Sequence, residues 1–252
     1  MKIKSIFTLL FLLLSFTSSA QILNVESLRK VTDTSGFSGA ASLNFAIKRN
    51  VNDFLTISTN AHVQYKMNKH LVLFKNDFNL QIIEGENFEN SGIQHLRYNY
   101  KILPRIVWEI FGQVQYNRVS KIDFRGLLGT GPRFKLSNSN NYKLYLGTML
   151  MYEQEELVDG VTPLQRDFRG STYLSFSLYP RENISIVSTT YYQPKLNLIS
   201  DYRISSQSAL VLSIFKNIGL ITTYTFTYDA FPAIGIPNSQ YELTTGLNYT
   251  FD

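Results

Sequence analysis

The sequence predicts an all-β fold, a single antiparallel transmembrane β-barrel of about 12 strands that follows a secretion signal. Three observations support this. The N-terminus has the parts of a signal peptide, the remainder alternates apolar and polar residues with a period of two, and most alternating segments run roughly ten residues or longer. Strands of soluble proteins average about five or six residues, whereas membrane-crossing strands need about 9–11.

Residues 1–20 are predicted to form the signal peptide, and residues 21–252 the outer-membrane barrel domain. Lys2 and Lys4 precede an apolar run from Ile6 to Leu14, and small residues lead up to Ala20. A membrane-anchoring helix is the alternative, but it would need roughly 20 apolar residues. We therefore expect cleavage after Ala20. Cleavage would remove Lys2 and Lys4 and so lower the formal charge of +5 by two. The sequence contains no run of basic residues that would indicate nucleic acid binding.

The alternation is clear in the segment "LTISTNAHVQYK". Leu55, Ile57 and Val63 fall on one face, and His62 and Gln64 fall on the other. The same pattern predicts strands near residues 36–48, 53–66, 70–84, 91–102, 105–118, 123–136, 142–156, 167–179, 183–194, 201–216, 218–230 and 240–251.

The predicted connections between strands alternate in length. The short ones are "KMNK", "ILPR", "SNSNN", "YPREN" and "FKN"; the longer ones are "EGENFENS", "EELVDGVTPLQRD", "KLNLIS" and "DAFPAIGIPNSQ". The short first connection, "RNVN", is the exception. Bacterial outer-membrane barrels have short periplasmic turns and longer extracellular loops. We therefore expect the cell outer membrane of a Gram-negative bacterium, with both termini in the periplasm.

Apolar and polar residues alternate in both a membrane barrel and a soluble β-sandwich, so the two folds must be distinguished by composition. Charged residues make up only 17 % of the chain, and the polar faces are rich in Ser, Thr, Asn and Gln. Aromatic residues make up 14 %, and tyrosines cluster near the predicted strand ends, where a membrane barrel carries aromatic girdles. The predicted girdle residues are Tyr65, Tyr98, Tyr100, Tyr116, Tyr142, Tyr152, Tyr191, Tyr192, Tyr224, Tyr228, Tyr241 and Tyr249.

Residues that could perform chemistry are sparse. The chain has no cysteine, and its three histidines, His62, His70 and His95, fall on three different predicted strands. His62 and His95 are predicted to point inward, without the spacing of a metal site. Ser171 lacks the G-x-S-x-G context of a nucleophile. We expect no metal, no cofactor and no enzymatic activity.

Charged residues at inward positions are the main candidates for a functional site. The predicted lumenal charge cluster consists of Arg97, Arg125, Arg133, Lys135, Glu109 and Glu153. Both signs are present among the inward positions, with cations in excess. One interpretation is a narrow pore for a small anionic solute. The other is an interior plug of salt bridges, which needs no solute.

The stretch "DFRGLLGTGPRFKL" contains three closely spaced glycines. In the phosphate-binding motif G-x-x-x-x-G-K-[ST], a Lys follows the second glycine and a helix comes next. Gly126 and Gly131 have this spacing, but Pro132 stands in place of the Lys and another strand follows. Because Pro cannot donate to a sheet ladder, we expect a bulge or a local edge at Pro132. Gly129 and Gly131 are predicted to point into the lumen.

The segment that begins at this stretch resembles the YdiY-like salt-induced outer membrane proteins, a family of unknown function. The similar features are an Arg, a G-x-G followed by an aromatic residue, a short polar turn, and a strand with one Gly and a trailing Glu. In this chain they are Arg125, Gly129, Gly131, Phe134, Gly147 and Glu153. The resemblance implies an outer-membrane β-barrel and brings no catalytic residues.

The first functional hypothesis is an outer-membrane barrel of structural or narrow-pore type, linked to envelope or osmotic stress. A lumenal lipid- or acyl-modifying enzyme, or a docking or translocation pore for a protein partner, are the alternatives. The expected partners are outer-membrane lipid, the barrel-assembly machinery and a small anionic solute.

Overall fold

The computed structural model describes residues 35–49, 53–137, 139, 141–215 and 218–249. The predicted signal peptide, residues 1–20, lies outside them. Twelve strands account for most of the described chain: β1 Gly36–Arg49, β2 Asp53–Met67, β3 His70–Ile83, β4 Glu86–Leu103, β5 Ile106–Asn117, β6 Ile122–Lys135, β7 Tyr142–Leu157, β8 Gln165–Arg181, β9 Ile184–Pro194, β10 Tyr202–Ser213, β11 Ile218–Asp229 and β12 Ser239–Tyr249. No helix in this part of the chain is long and apolar enough to cross a membrane.

The strands form one antiparallel sheet in which each strand pairs with its sequence neighbours, from β1 to β12. The sheet curls around a lumen, since side chains of strands far apart in the order meet inside it. Tyr173 on β8 donates a hydrogen bond to Glu109 on β5 at 2.8 Å. In the described residues the first and last strands, β1 and β12, have no ladder between them. The architecture is a barrel-like sheet with the predicted number of twelve strands.

Side-chain direction follows the predicted alternation. Along β5, Glu109, Phe111 and Gln113 are buried, while Trp108 and Ile110, which alternate with them, are exposed. The exposed row is apolar on strand after strand, as a lipid-facing surface requires. The period-two pattern therefore assigned the faces correctly, including inward positions for His62 and His95.

Aromatic residues lie on the outer surface toward both ends of the barrel. Tyr98, Tyr100 and Trp108 are exposed near one end, and Tyr192 and Phe168 near the other. Tyr191, which was predicted to join the girdle, points inward instead and is buried. In the pair Tyr191–Tyr192 the period of two sends one ring to each face, so only one of them can contact lipid.

The β3–β4 connection corrects a predicted long loop. Instead of the loop "EGENFENS", a tight hairpin turns at Glu84 and Gly85, whose φ values are 51° and 82°. Two consecutive positive φ values suit the turn types that match the twist of a hairpin. β4 therefore begins at Glu86, five residues earlier than predicted, and a bulge near Gln81 adjusts the register.

No bulge forms at Pro132. The β6–β7 ladder has the same register at Thr130, paired with Leu150, and at Arg133, paired with Gly147. Gly131 and Pro132 between them have no partner in that ladder, which leaves a local gap of two residues. A Cβ at Gly131 would collide with the backbone of Thr148, so only glycine permits the two strands to approach this closely.

The two ends of the barrel differ. We call the end that holds the start of β1 and the end of β12 the terminal end, and the opposite one the loop end. Connections at the terminal end include two-residue turns, such as Asn68–Lys69 and Pro104–Arg105. The loop end carries the three longest described connections, residues 158–164, 195–201 and 230–238. This is the asymmetry expected for short periplasmic turns and extracellular loops.

Candidate functional site

The lumen is organised in levels that the inward residues of β7 illustrate. Glu155 and Glu153 lie toward the loop end, Met151 and Met149 follow in the middle, and Lys143 lies at the terminal end. From the loop end to the terminal end, the inward residues of β7 are therefore first carboxylates, then apolar residues and finally a cation.

A layer of paired charges, the charge layer, lies inside the lumen at the level of Glu153 and Glu155. Arg203 on β10 donates to both of them: Nη1 lies 2.7 and 2.8 Å from the oxygens of Glu153, and Nη2 lies 2.9 and 3.2 Å from those of Glu155. Its Nε donates to Asp229 at 2.7 Å. Only 5 % of Arg203 is exposed. A buried guanidinium that meets three carboxylates is satisfied in both charge and hydrogen bonding.

A second arginine extends this layer toward β8 and the β9–β10 loop. Arg169 lies 3.3 Å from Glu153 and 3.0 Å from Asp201, and it also donates to the backbone oxygens of Gln193 and Asp201. Lys195 donates to Asp167 at 3.0 Å and to Asp201 at 2.7 Å. Burial lowers the pKa of Lys195, but the hydrogen bonds and charges of Asp201 and Asp167 outweigh it, so the pKa is raised.

Arg125 completes this layer through an ion pair with Glu155. With Arg125 included, the layer still contains more carboxylates than cations. The cations are Arg125, Arg169, Lys195 and Arg203, and the carboxylates are Glu153, Glu155, Asp167, Asp201 and Asp229. The predicted excess of cations thus does not hold here. In a low-dielectric interior, charges paired in this way compensate one another.

Below the charge layer, buried apolar side chains form a cluster inside the lumen. They are Phe111, Met149, Met151, Tyr173 and Tyr191. Gly129 makes room for this level, since an added Cβ there would collide with the Phe111 ring. The predicted inward direction of Gly129 is therefore confirmed, and the missing side chain is what lets Phe111 cross the lumen.

Glu109 borders the apolar level and is completely buried. It accepts a hydrogen bond from the Tyr173 hydroxyl at 2.8 Å and pairs with Arg97 at 3.5 Å. The Arg97 guanidinium also lies over the Phe111 ring, 5.7 Å from its centroid. A carboxylate at this depth needs such partners, because an unpaired buried charge is strongly unfavourable.

The six residues of the predicted charge cluster do not meet at one point. Arg97 and Glu109 pair with each other, whereas Arg125 and Glu153 belong to the charge layer. Arg133 lies over the Tyr145 ring at 3.8 Å, and Lys135 lies at the terminal end of β6.

Sequence reasoning missed three carboxylates of the charge layer, Glu155, Asp201 and Asp229. Glu155 shares the parity of Glu153 on β7, so the period of two could have found it. Asp201 and Asp229 stand where loops meet strands, where alternation gives no signal.

The inward histidines hold structural positions. His95 is buried, its Nδ1 lies 2.9 Å from Gln113 Oε1, and its ring stacks on Phe111 with centroids 5.4 Å apart. His62 is paired in register with Lys75 on β3. Within the described ranges, no group of three potential ligands could hold a metal ion. The absence of catalysis stays a prediction.

Arg125 and Arg203 both line two small cavities that lie in the lumen among the described residues. The upper cavity, beneath the β11–β12 loop, has about 60 Å³ accessible to water, and the lower one about 30 Å³. Ser120 lines the upper cavity, and its buried hydroxyl has no hydrogen-bond partner among the described residues. Neither cavity approaches the roughly 300–1,000 Å³ of small-molecule sites.

The loop that roofs the upper cavity is fastened to the rest of the loop end. Lys121 in the β5–β6 turn donates to the carbonyl of Ile234 at 2.7 Å. At the base of the loop, Asp229 accepts from the backbone of Phe231 at 3.0 Å through Oδ1, while its Oδ2 binds Arg203. One carboxylate therefore joins the roof to the charge layer.

The fold, with its apolar outer surface and charged interior, defines a β-barrel of the outer-membrane type. The chain belongs to the family described as "Protein of unknown function, DUF481", whose profile matches residues 27–251. This confirms the resemblance to the YdiY-like proteins. A search of curated proteins finds no significant match.

Among solved structures, the chain is similar to the porin NanC, with a TM-score of 0.51 and 11 % identity over 85 % of this chain and 98 % of that one. A bacterial polysaccharide outer membrane secretin matches with a TM-score of 0.45 and 10 % identity, over 80 % of this chain and 84 % of that one. The β-domain of the Bordetella autotransporter BrkA matches with a TM-score of 0.40 and 8 % identity, over 85 % and 96 %. At these identities the likeness to NanC supports the barrel fold and nothing finer.

Proposed function

We propose that this protein is an outer-membrane β-barrel of structural or narrow-pore type in a Gram-negative bacterium, and that its lumen is closed at rest. The observation that carries the proposal is the binding of Arg203 on β10 to Glu153 and Glu155 on β7 through the lumen, together with its ion pair to Asp229, its ladder partner on β11. A fully paired charge layer has no open coordination for a passing ion and fills the cross-section through which a solute would move.

The loop end supports closure independently of the charge layer. The β11–β12 loop lies over the upper cavity, and Ala233 at its centre is buried. The hydrogen bond from Lys121 to Ile234 holds this loop across the mouth. A solute would have to displace both the loop and the charge layer, so opening requires a conformational change.

The apolar outer surface fits outer-membrane lipid as the surrounding partner, and a barrel of this kind would be inserted by the barrel-assembly machinery. The link to envelope or osmotic stress rests on the resemblance to salt-induced proteins alone. It is tested by deleting the gene and comparing growth at high and low salt; equal growth of mutant and parent in both media would remove it.

A liposome-swelling assay tests the closed lumen. Refolded protein in liposomes should admit neither a small sugar nor a small dicarboxylate faster than protein-free liposomes do. An open porin assayed in parallel establishes that the method detects uptake. Swelling by this protein at the rate of the open porin would contradict the proposal.

A further inference from the structure

A groove lies on the outer face of the barrel, in the wall formed by β3 to β7. Its volume is about 450 Å³, which falls within the roughly 300–1,000 Å³ of small-molecule sites. The apolar side chains that line it are exposed or half-buried: Phe74, Leu96, Val114, Phe124, Leu128 and Tyr152. The groove is much larger than either lumenal cavity. We call it the outer groove.

Two glycines lie at the bottom of the outer groove. Gly112 on β5 pairs with Leu128, and Gly126 on β6 pairs with Val114. Directly paired residues share a face of the sheet, so both glycines lie on the outer face as diagonal neighbours. Apart from its chain neighbours, no described atom lies within 4 Å of a Cβ built at Gly112, and the Phe124 ring lies 3.0 Å from a Cβ built at Gly126. The missing side chains therefore leave a depression in this wall.

The outer groove lies at the level of the hydrocarbon interior of the bilayer. On β5, Trp108 is four residues from Gly112 toward the terminal end, and Tyr116 is four residues from it toward the loop end. At the rise of an extended strand, each ring is about 14 Å along the strand from Gly112. Both residues face outward, and outward aromatic residues mark the two interfaces of a membrane barrel. The groove therefore meets lipid or another membrane protein.

The shape of the outer groove favours a single acyl chain over a second barrel. Leu96 and Leu128 are the partners of Gly112 on the two neighbouring strands, so a chain laid over Gly112 packs between these two side chains. The wall of another barrel is convex and would bridge the groove without reaching Gly112. A stable protein interface also buries roughly 1,200–2,000 Å² of closely fitting surface, which a narrow groove does not offer.

Polar groups line the outer groove on the side nearer the loop end. Gln94 and Gln154 belong to the row of wall residues that lies two positions closer to the loop end than Gly112. The Gln94 amide donates to the side-chain oxygen of Asn76 at 3.1 Å. A side-chain amide can also donate to the ester oxygen of a lipid. These residues therefore indicate that an acyl chain enters from the loop end, with its ester beside the amides.

We propose that the outer groove is a binding site for one ester-linked acyl chain of a membrane lipid in the leaflet at the loop end. Lipid tails are already in an apolar medium, so the affinity comes from close packing and from hydrogen bonds to the ester. This site goes beyond the proposed function, because it lies on the outer face and does not depend on whether the lumen is closed.

Native mass spectrometry of the refolded full chain in detergent tests the proposal, with palmitoyl-oleoyl phosphatidylcholine as the probe. Wild type should retain one lipid molecule. G112L should weaken retention about tenfold, because the new side chain takes the place of the acyl chain and its packing contacts. The matched control T172L adds a leucine at an exposed outward position on β8, away from the groove, and should retain lipid like wild type.

A second variant, L96A/L128A, removes side chains from both sides of the groove without adding bulk, and it should also weaken retention. Heat-modifiable migration on gels establishes that each variant is folded. Palmitoyl lysophosphatidylcholine should displace the bound lipid, whereas dihexanoyl phosphatidylcholine has the same headgroup on short chains and should not. Equal displacement by both would assign binding to the headgroup and overturn the proposal.

The proposal is also overturned if wild type retains detergent but no lipid, or if G112L and L96A/L128A retain lipid as wild type does. Loss of retention in T172L as large as in G112L would show that the groove is not the site. A wild-type dimer that G112L dissociates would place a second copy of the chain in the groove. None of these outcomes bears on the swelling assay, so the two proposals fail separately.

Discussion

Arg203 on β10 and Glu155 on β7 meet across the lumen, with Nη2 2.9 Å from Oε1, although the two strands are not neighbours in the sheet. This ion pair and the contacts of Arg203 with Glu153 join two strands that lie three places apart in the sheet. Because these charges are buried, removal of one of them leaves its partners without full charge compensation.

Removing Arg203 should be strongly destabilising. R203A leaves Glu153 and Glu155 buried with fewer cations, and loss of one partner of a buried ion pair costs about 3–5 kcal/mol. Urea unfolding of the refolded barrel in detergent measures this. R166A, an exposed arginine on β8, is the control and should change the free energy of unfolding by less than about 0.5 kcal/mol. Equal stability of R203A and wild type would show that the layer is not formed.

An added methyl group should lower the free energy of unfolding at one glycine, Gly147, and change it little at another, Gly112. In G147A the new Cβ would collide with the Tyr173 ring, which must shift and lose alignment with Glu109. We expect a loss of about 1–3 kcal/mol from overpacking. In G112A nothing lies within 4 Å of the new Cβ, so the free energy of unfolding should change little. Similar losses in both variants would contradict the placement of Tyr173.

The orientation in the membrane can be tested by labelling, because the chain contains no cysteine. V161C lies in the β7–β8 loop, where Val161 is 68 % exposed, and K69C lies in the β2–β3 turn. A membrane-impermeant maleimide applied to intact cells should label V161C, and should label K69C only after permeabilisation. The reverse result would place the loop end in the periplasm.

The β7–β8 loop should keep its anchor in strong acid. Asp159 accepts from the Thr162 hydroxyl and backbone and from the Val161 backbone, and these bonds lower its pKa from 3.8 to about 2. Because the folded pKa is depressed, its contribution to stability is present above pH 3.8 and is lost as pH falls through about 2. Carboxyl NMR titration should give a midpoint near 2, and a midpoint near 3.8 would show that the anchor is absent.

The strands and their faces could be predicted because a period of two records which side chain meets lipid and which meets the lumen. Leu96 and Tyr98 point outward and His95 and Arg97 inward, as the alternation required. The tight turn at Glu84–Gly85 could not be predicted in this way, since the residues that follow it, 86–91, are mostly polar on both faces and resemble a loop.

The partners within the lumen could not be predicted from sequence. Alternation places Arg125 and Arg203 inside, but which carboxylate each one meets depends on strand tilt and stagger across the barrel. Arg203 and Glu155 are 48 residues apart in the chain. The predicted cluster of six residues therefore separated into three levels, although each of its members does point inward.

Planar-bilayer recording of wild type and R203A tests the closed lumen most directly. Wild type should show no sustained conductance, because the charge layer fills the cross-section between β7 and β10. R203A should show discrete openings, since loss of the guanidinium frees space and leaves the acidic groups mutually repelling. Sustained conductance by wild type at the level of R203A would contradict the account.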